Sequence, residues 1–181
     1  MALRAAGRAG QDDPDLSVAD AALVALAERL QSLCIDRGTT AATAESCTGG
    51  LIAEAITSVP GSSAYFAGGI VAYADAVKVG QLGVSDAMLA AHGAVSAQVA
   101  MAMASGARER LGSTLAISVT GVAGPAGGTD AKPVGLTYVG LAWAGGSDVR
   151  KYVFDGDRAA NRASAAKAAL DWLIEISGGP S

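Results

Sequence analysis

Histidine is almost missing from this 181-residue chain, with His92 its one instance, and cysteine is limited to Cys34 and Cys47. Two cysteines outside any CxxC pair build no secreted-type disulfide framework, and a single histidine leaves a structural zinc short of ligands. Aromatic residues make up 4% of the chain and charged residues 17%, so core volume has to come from Ala, Val, Leu and Ile. Positive charge is thin too. Thirteen basic against 17 acidic residues give a formal net charge of -4, with no Lys/Arg run. That balance argues against a broad nucleic-acid surface, but it leaves room for one anionic small-molecule site made from one or two placed cations and backbone N–H groups. No stretch of 18 largely apolar residues runs unbroken, and the opening MALRAAGRAGQDD lacks an apolar signal-peptide core. A cytoplasmic protein with no membrane partner is the expectation.

Glycine, at 24 residues, and alanine are abundant instead, a composition that lets backbones approach closely. The length suits one α/β domain over residues 16–178, with residues 1–15, small, polar and broken by Pro14, expected as a disordered tail. Apolar residues at 23, 24, 26, 30 and 33 recur at helical spacing and predict a helix from 16 to 37. A small-residue strand (41–44), a polar turn and a helix (51–58) follow. A second strand is predicted over 66–73, and 74–79 is read as a connection that carries Lys78. A short helix near 85–89 and a longer one over 96–111 lead to a strand at 115–120. Residues 121–133 hold too much Gly and Pro for a crossover helix. The remaining pattern is an antiparallel hairpin, 134–144 and 149–154 about Gly145-Gly146, and a last helix over 157–176. The sheet is therefore mixed with helices on both faces, and the loops after its first three strands meet at one edge.

The turn Glu45-Ser46-Cys47-Thr48-Gly49-Gly50 places a hydroxyl where a strand hands over to a helix. Free N–H groups of Thr48, Gly49 and Gly50 would form a nest for an oxyanion or a phosphate there, and the plainer alternative is that Ser46 or Thr48 caps the helix. Cys47 has no histidine base to call on, since His92 reads as a helix end. For a serine nucleophile without histidine, Lys78 is the available base and Tyr73 either relays the proton or holds that lysine; equally, the two are a surface lysine and a strand-end ring. Gly121, Gly124, Gly127 and Gly128 belong to a loop that is not a P-loop, because no Gly-Lys-Ser/Thr follows. It serves either as a phosphate or ribose contact or as a plain connection, flanked by Thr120 and Lys132. Arg158 and Arg162 lie one turn apart at a helix start, where cations oppose the dipole. That asks for an anionic ligand or for a carboxylate such as Asp155 or Asp157. No paired carboxylates suggest a metal or a glycosidase.

Together AESCTGG (44–50), VPGSSAYFAGGIVAY (59–73), Lys78, GAVS (93–96), VTGVAGPAGG (119–128), KPVG (132–135) and GDR (156–158) resemble the CinA carboxyl-terminal domain family, the competence/damage-inducible group, in its stand-alone form. The resemblance covers residues 16–176. It implies a three-layer α/β/α sandwich with a mixed five-stranded sheet, one strand antiparallel, and commonly a homodimer. It also implies hydrolysis of nicotinamide mononucleotide to nicotinic acid mononucleotide and ammonia, with no cofactor or metal, through Ser46 supported by Lys78 and Tyr73. The glycine loop and the Arg158/Arg162 pair are then nucleotide contacts. The rival reading is a non-catalytic nucleotide-binding or protein-interaction module.

Overall fold

The computed structural model describes residues 17–178, and the expected tail over 1–15 lies outside them. The five strands are β1 (Ala41–Glu45), β2 (Phe66–Val71), β3 (Leu115–Gly121), β4 (Leu136–Trp143) and β5 (Gly146–Val153). The six helices are α1 (Ser17–Arg37), α2 (Leu51–Thr57), α3 (Asp75–Leu82), α4 (Asp86–His92), α5 (Ala97–Leu111) and α6 (Arg158–Gly178). Strand order is β2-β1-β3-β4-β5. β1 pairs parallel with β2 and β3, while β4 pairs antiparallel with both β3 and β5. Four strands therefore run one way and β4 alone runs back, as expected.

Helices α1, α2 and α6 cover one face, and α5, with α3 and α4 against it, covers the other. Alternation along each strand divides the core accordingly. Ala41, Leu115, Ile117, Val119, Val139 and Leu141 face the first layer, and Ala42, Ala44 and Ala116 face the second. With alanines on the second face, α5 sits very close to the sheet. The Ser118 hydroxyl donates to the Ala100 carbonyl at 2.6 Å, and a Cβ added at Gly140 would lie 2.5 Å from that same oxygen. Glycine at 140 is thus a packing requirement.

Two sequence expectations need correction. Residues 75–82 form helix α3 rather than a connection. Its inward positions are Lys78 and Leu82, and its eight residues, with Gly80 inside them, fall short of the window over which helical periodicity is read. The β4–β5 register pairs Trp143 with Gly146, which puts the two-residue turn at Ala144-Gly145 rather than at Gly145-Gly146. Among the described residues no helix is long and apolar enough to cross a membrane.

Candidate functional site

β1 ends at Glu45, and the side chain of Glu45 decides what the following turn can do. Flanked by Val71 on β2 and Val119 on β3, it is 1% exposed. Its carboxylate accepts the N–H groups of Gly50 (2.9 Å), Ile52 (3.2 Å) and Ala53 (2.9 Å). The first turn of α2 is thereby supplied with an internal anion, the charge that a helix start favours. The Gly49 N–H donates to the Ser46 carbonyl at 3.1 Å. This overturns the nest expected at Gly49 and Gly50, because both N–H groups are already engaged. Next in the turn, the Cys47 thiol is buried, with its own N–H and that of Thr48 near it. Burial pushes that thiol up to about 11, with the Glu45 charge adding to the effect and Arg162 and the two N–H groups opposing it. At neutral pH Cys47 is therefore a neutral thiol beside the site.

Ser46 is half-buried. Its N–H donates to the Val119 carbonyl at 2.9 Å, while its hydroxyl has no partner among the described residues and opens on a cleft of about 310 Å³. Lys78 enters the same cleft from α3. Its side chain is 2% exposed, and its amine donates to the Tyr73 carbonyl (3.2 Å) and to Asp75 Oδ1 (3.3 Å). It is neither a surface lysine nor, in this conformation, bonded to Ser46. Tyr73 meets Lys78 through its backbone only. Its ring is 61% exposed, and its hydroxyl accepts from Arg158 Nη2 at 3.0 Å, so the expected relay through that hydroxyl is not made.

The opposite wall is the glycine segment. Arg158 Nη1 donates to the Gly124 carbonyl at 2.8 Å, and the buried Asn161 amide donates to the Ala123 carbonyl at 3.1 Å and to the Gly156 carbonyl at 2.9 Å. These bonds, from the start of α6, fix the segment along the cleft. Gly121 sits where a Cβ would fall 2.7 Å from the Leu136 carbonyl oxygen and from Thr137 Oγ1. Of the residues expected at the site, Ser46, Tyr73, Lys78, Thr120, Gly121, Gly124, Gly127 and Arg158 line the cleft.

Thr48, Gly49, Gly50, Gly128, Lys132 and Arg162 are not among the residues lining it. Arg162 Nη2 donates to the Thr48 carbonyl at 2.6 Å and braces the turn from behind, and Lys132 Nζ donates to the His92 carbonyl at 2.7 Å. Both α6 arginines thus bond backbone carbonyls and neither bonds Asp155 or Asp157, the carboxylates that stood as the alternative to an anionic ligand. Thr120, though it lines the cleft, spends its hydroxyl proton on the Ala94 carbonyl at 2.8 Å. Sequence reasoning passed over Asp75, Glu45 and Asn161. Asp75 at the start of a missed helix carries a signal, an acid three residues before Lys78; Glu45 and Asn161 act through tertiary bonds that no spacing reveals. No group of three or more His, Cys, Asp or Glu is placed to hold a metal ion among the described residues.

The profile of the CinA C-terminal domain matches residues 23–177. The chain belongs to the CinA C-terminal domain family. A CinA-like protein of Geobacter sulfurreducens is 58% identical over 138 residues, which is 76% of this chain and 33% of that protein. A putative competence-damage inducible protein of Halothermothrix orenii is 51% identical over 150 residues, 82% of this chain and 36% of that one. The chain therefore spans about a third of the length of these curated relatives. Among solved structures, a CinA superfamily protein of Klebsiella pneumoniae superposes with a TM-score of 0.83 at 33% identity, over 86% of this chain and 98% of that one. The competence/damage inducible protein CihA of Agrobacterium tumefaciens does so with 0.81 at 39%, over 87% and 96%. In this CinA C-terminal domain Ser46 and Cys47, from the turn, and residues of the glycine segment between Gly121 and Gly127 line one cleft.

Proposed function

We propose that this CinA C-terminal domain hydrolyses the carboxamide of nicotinamide mononucleotide to nicotinic acid mononucleotide and ammonia, with Ser46 as nucleophile and Lys78 as base. The observation that carries the reading is the pairing, in one cleft, of an unpartnered serine hydroxyl with a buried amine. In the reaction Lys78, having first released one proton to solvent, takes the Ser46 Oγ proton as Oγ bonds to the carboxamide carbon. The carbonyl oxygen becomes an oxyanion. With Gly49 and Gly50 engaged, the donor left to it is the N–H of Cys47, which lines the cleft beside Ser46; one such donor is worth about 3 kcal/mol of barrier. The C–N bond then breaks, the nitrogen leaves as ammonia with the proton from Lys78, and water cleaves the Ser46 ester to the acid. Tyr73 serves here by holding Arg158 at the cleft mouth. A homodimer belongs to the same proposal, and sedimentation equilibrium checks it.

One observation favours the non-catalytic reading: the Lys78 amine is bonded to Tyr73 and Asp75 and not to Ser46. An ammonia-release assay on nicotinamide mononucleotide decides between the two. Ser46→Ala is expected to lower turnover by at least about a thousandfold with nucleotide binding retained. Binding by the unmodified chain with no ammonia released would establish the rival.

A further inference from the structure

Asp75 opens on the same cleft as Ser46, Lys78 and Arg158 and is the one acidic side chain lining it. As the first residue of α3 it has an ordinary role as the acid that a helix start favours, but that role does not explain its other two features. Its Oδ1 lies 3.3 Å from Lys78 Nζ, and its Oδ2 has no partner among the described residues in a side chain that is 60% exposed. The cleft thus presents a strong donor and a strong acceptor side by side. A primary carboxamide offers the matching pair, a carbonyl that accepts and an amide nitrogen that donates. The corresponding carboxylate offers acceptors only, and an ionised Asp has no proton to give it. With the two cations alone, Lys78 and Arg158, the cleft would favour the anionic acid over the neutral amide; an anion within the set reverses that preference.

We propose that Asp75 is a specificity-determining residue that makes the cleft prefer a primary carboxamide to the carboxylate derived from it, so that product is rejected after hydrolysis. The assignment rests on the amidase reading of this site, and its test separates the two. Affinities for nicotinamide mononucleotide and nicotinic acid mononucleotide are measured by titration calorimetry on Ser46→Ala protein, with and without Asp75→Asn, at neutral pH. Asparagine keeps the shape and adds a donor. The amide-to-acid affinity ratio is expected to fall roughly tenfold in the Asp75→Asn protein, and in the Asp75-bearing protein to narrow as salt is raised.

Asp75→Ala, which removes the acceptor without adding a donor, is expected to move the ratio in the same direction by less. A purely helix-capping Asp75 would change the melting temperature and leave the ratio where it was. An unchanged ratio in both variants overturns the inference, even where the unmodified chain releases ammonia. A shifted ratio in a chain that releases none sinks the amidase reading and leaves the carboxamide preference standing.

Discussion

Glu45 and Ser46 are sequence neighbours with opposite tasks: one side chain turns inward to satisfy the N–H groups that the other was expected to share. Three N–H bonds converge on the Glu45 carboxylate in the interior, so Glu45→Gln, which removes the charge and turns one acceptor oxygen into a donor, should cost about 1–3 kcal/mol of folding stability. Urea denaturation measures this. Because the Glu45 charge is one of the causes holding the Cys47 thiol up near 11, the same substitution should lower that thiol and speed its alkylation by iodoacetamide in the folded protein. Alkylation that is no faster would place the carboxylate charge too far away to act on the turn. The meeting of Ser46 and Lys78 in one cleft was legible from the sequence, since a hydroxyl at a strand-to-helix turn and an amine in a chain with one histidine leave few other pairings. What each backbone N–H was bonded to was not legible. Gly49 and Gly50 look free in one dimension, and only the fold brings an anion five to eight residues back to α2.

At the scale of elements, α3 holds Lys78 and, among the described residues, was the one α-helix left out of the sequence reading. It is short, and a lysine fills one of its two buried positions. Gly80 within it has open space around the site of an added Cβ and no left-handed backbone. Gly80→Ala should therefore stabilise the protein by about 0.5–1 kcal/mol. Gly106 on α5 is the contrasting case, because a Cβ there would run into the Leu82 carbonyl at the end of α3. Gly106→Ala should cost about 1–3 kcal/mol through displaced backbone, and it should disturb the placement of Lys78 as well. Chemical denaturation of the two variants checks both signs; equal effects would deny that α3 is seated directly on α5. The other helices were legible because leucines and valines recur along α1, Ser96 caps α5 by accepting the Val99 N–H, and Asp157 accepts the Ala160 N–H ahead of α6. Those local signals agree with the tertiary structure, and α3 is the place where they do not.

Across the whole molecule, the sheet edge at β5 is tied to the helix layer laid over it by α6. Arg150 on β5 donates twice to Glu175 on α6, at 2.8 and 2.7 Å, and its guanidinium lies 4.4 Å above the Trp172 ring. The Arg150 hydrogen bonds hold the Glu175 carboxyl below its ordinary value. A carboxyl lowered on folding adds stability above its unfolded pKa, and that contribution is lost as pH falls through the folded value. Glu175→Gln should accordingly flatten the acid side of the stability profile and leave the neutral-to-alkaline side parallel to that of the parent. Thermal melts over an acid pH series read this, and an unaltered acid limb would assign the profile to other carboxylates. At this scale the layered architecture and the lone reversed strand were legible, since a Gly- and Pro-rich segment cannot form a crossover helix and the Gly pair after it asks for a tight return. The long-range pairs that lock the layers, Arg150 with Glu175 and Arg162 with Thr48, were not.

The reversal of β4 also sorts the chain's connections between two ends of the molecule. Chain that enters β4 arrives beside the cleft, and chain that leaves it turns at Ala144-Gly145, the full length of the strand away. That distant hairpin is where an inserted tag or a new pair of chain ends would leave Ser46, Lys78 and the glycine segment where they are.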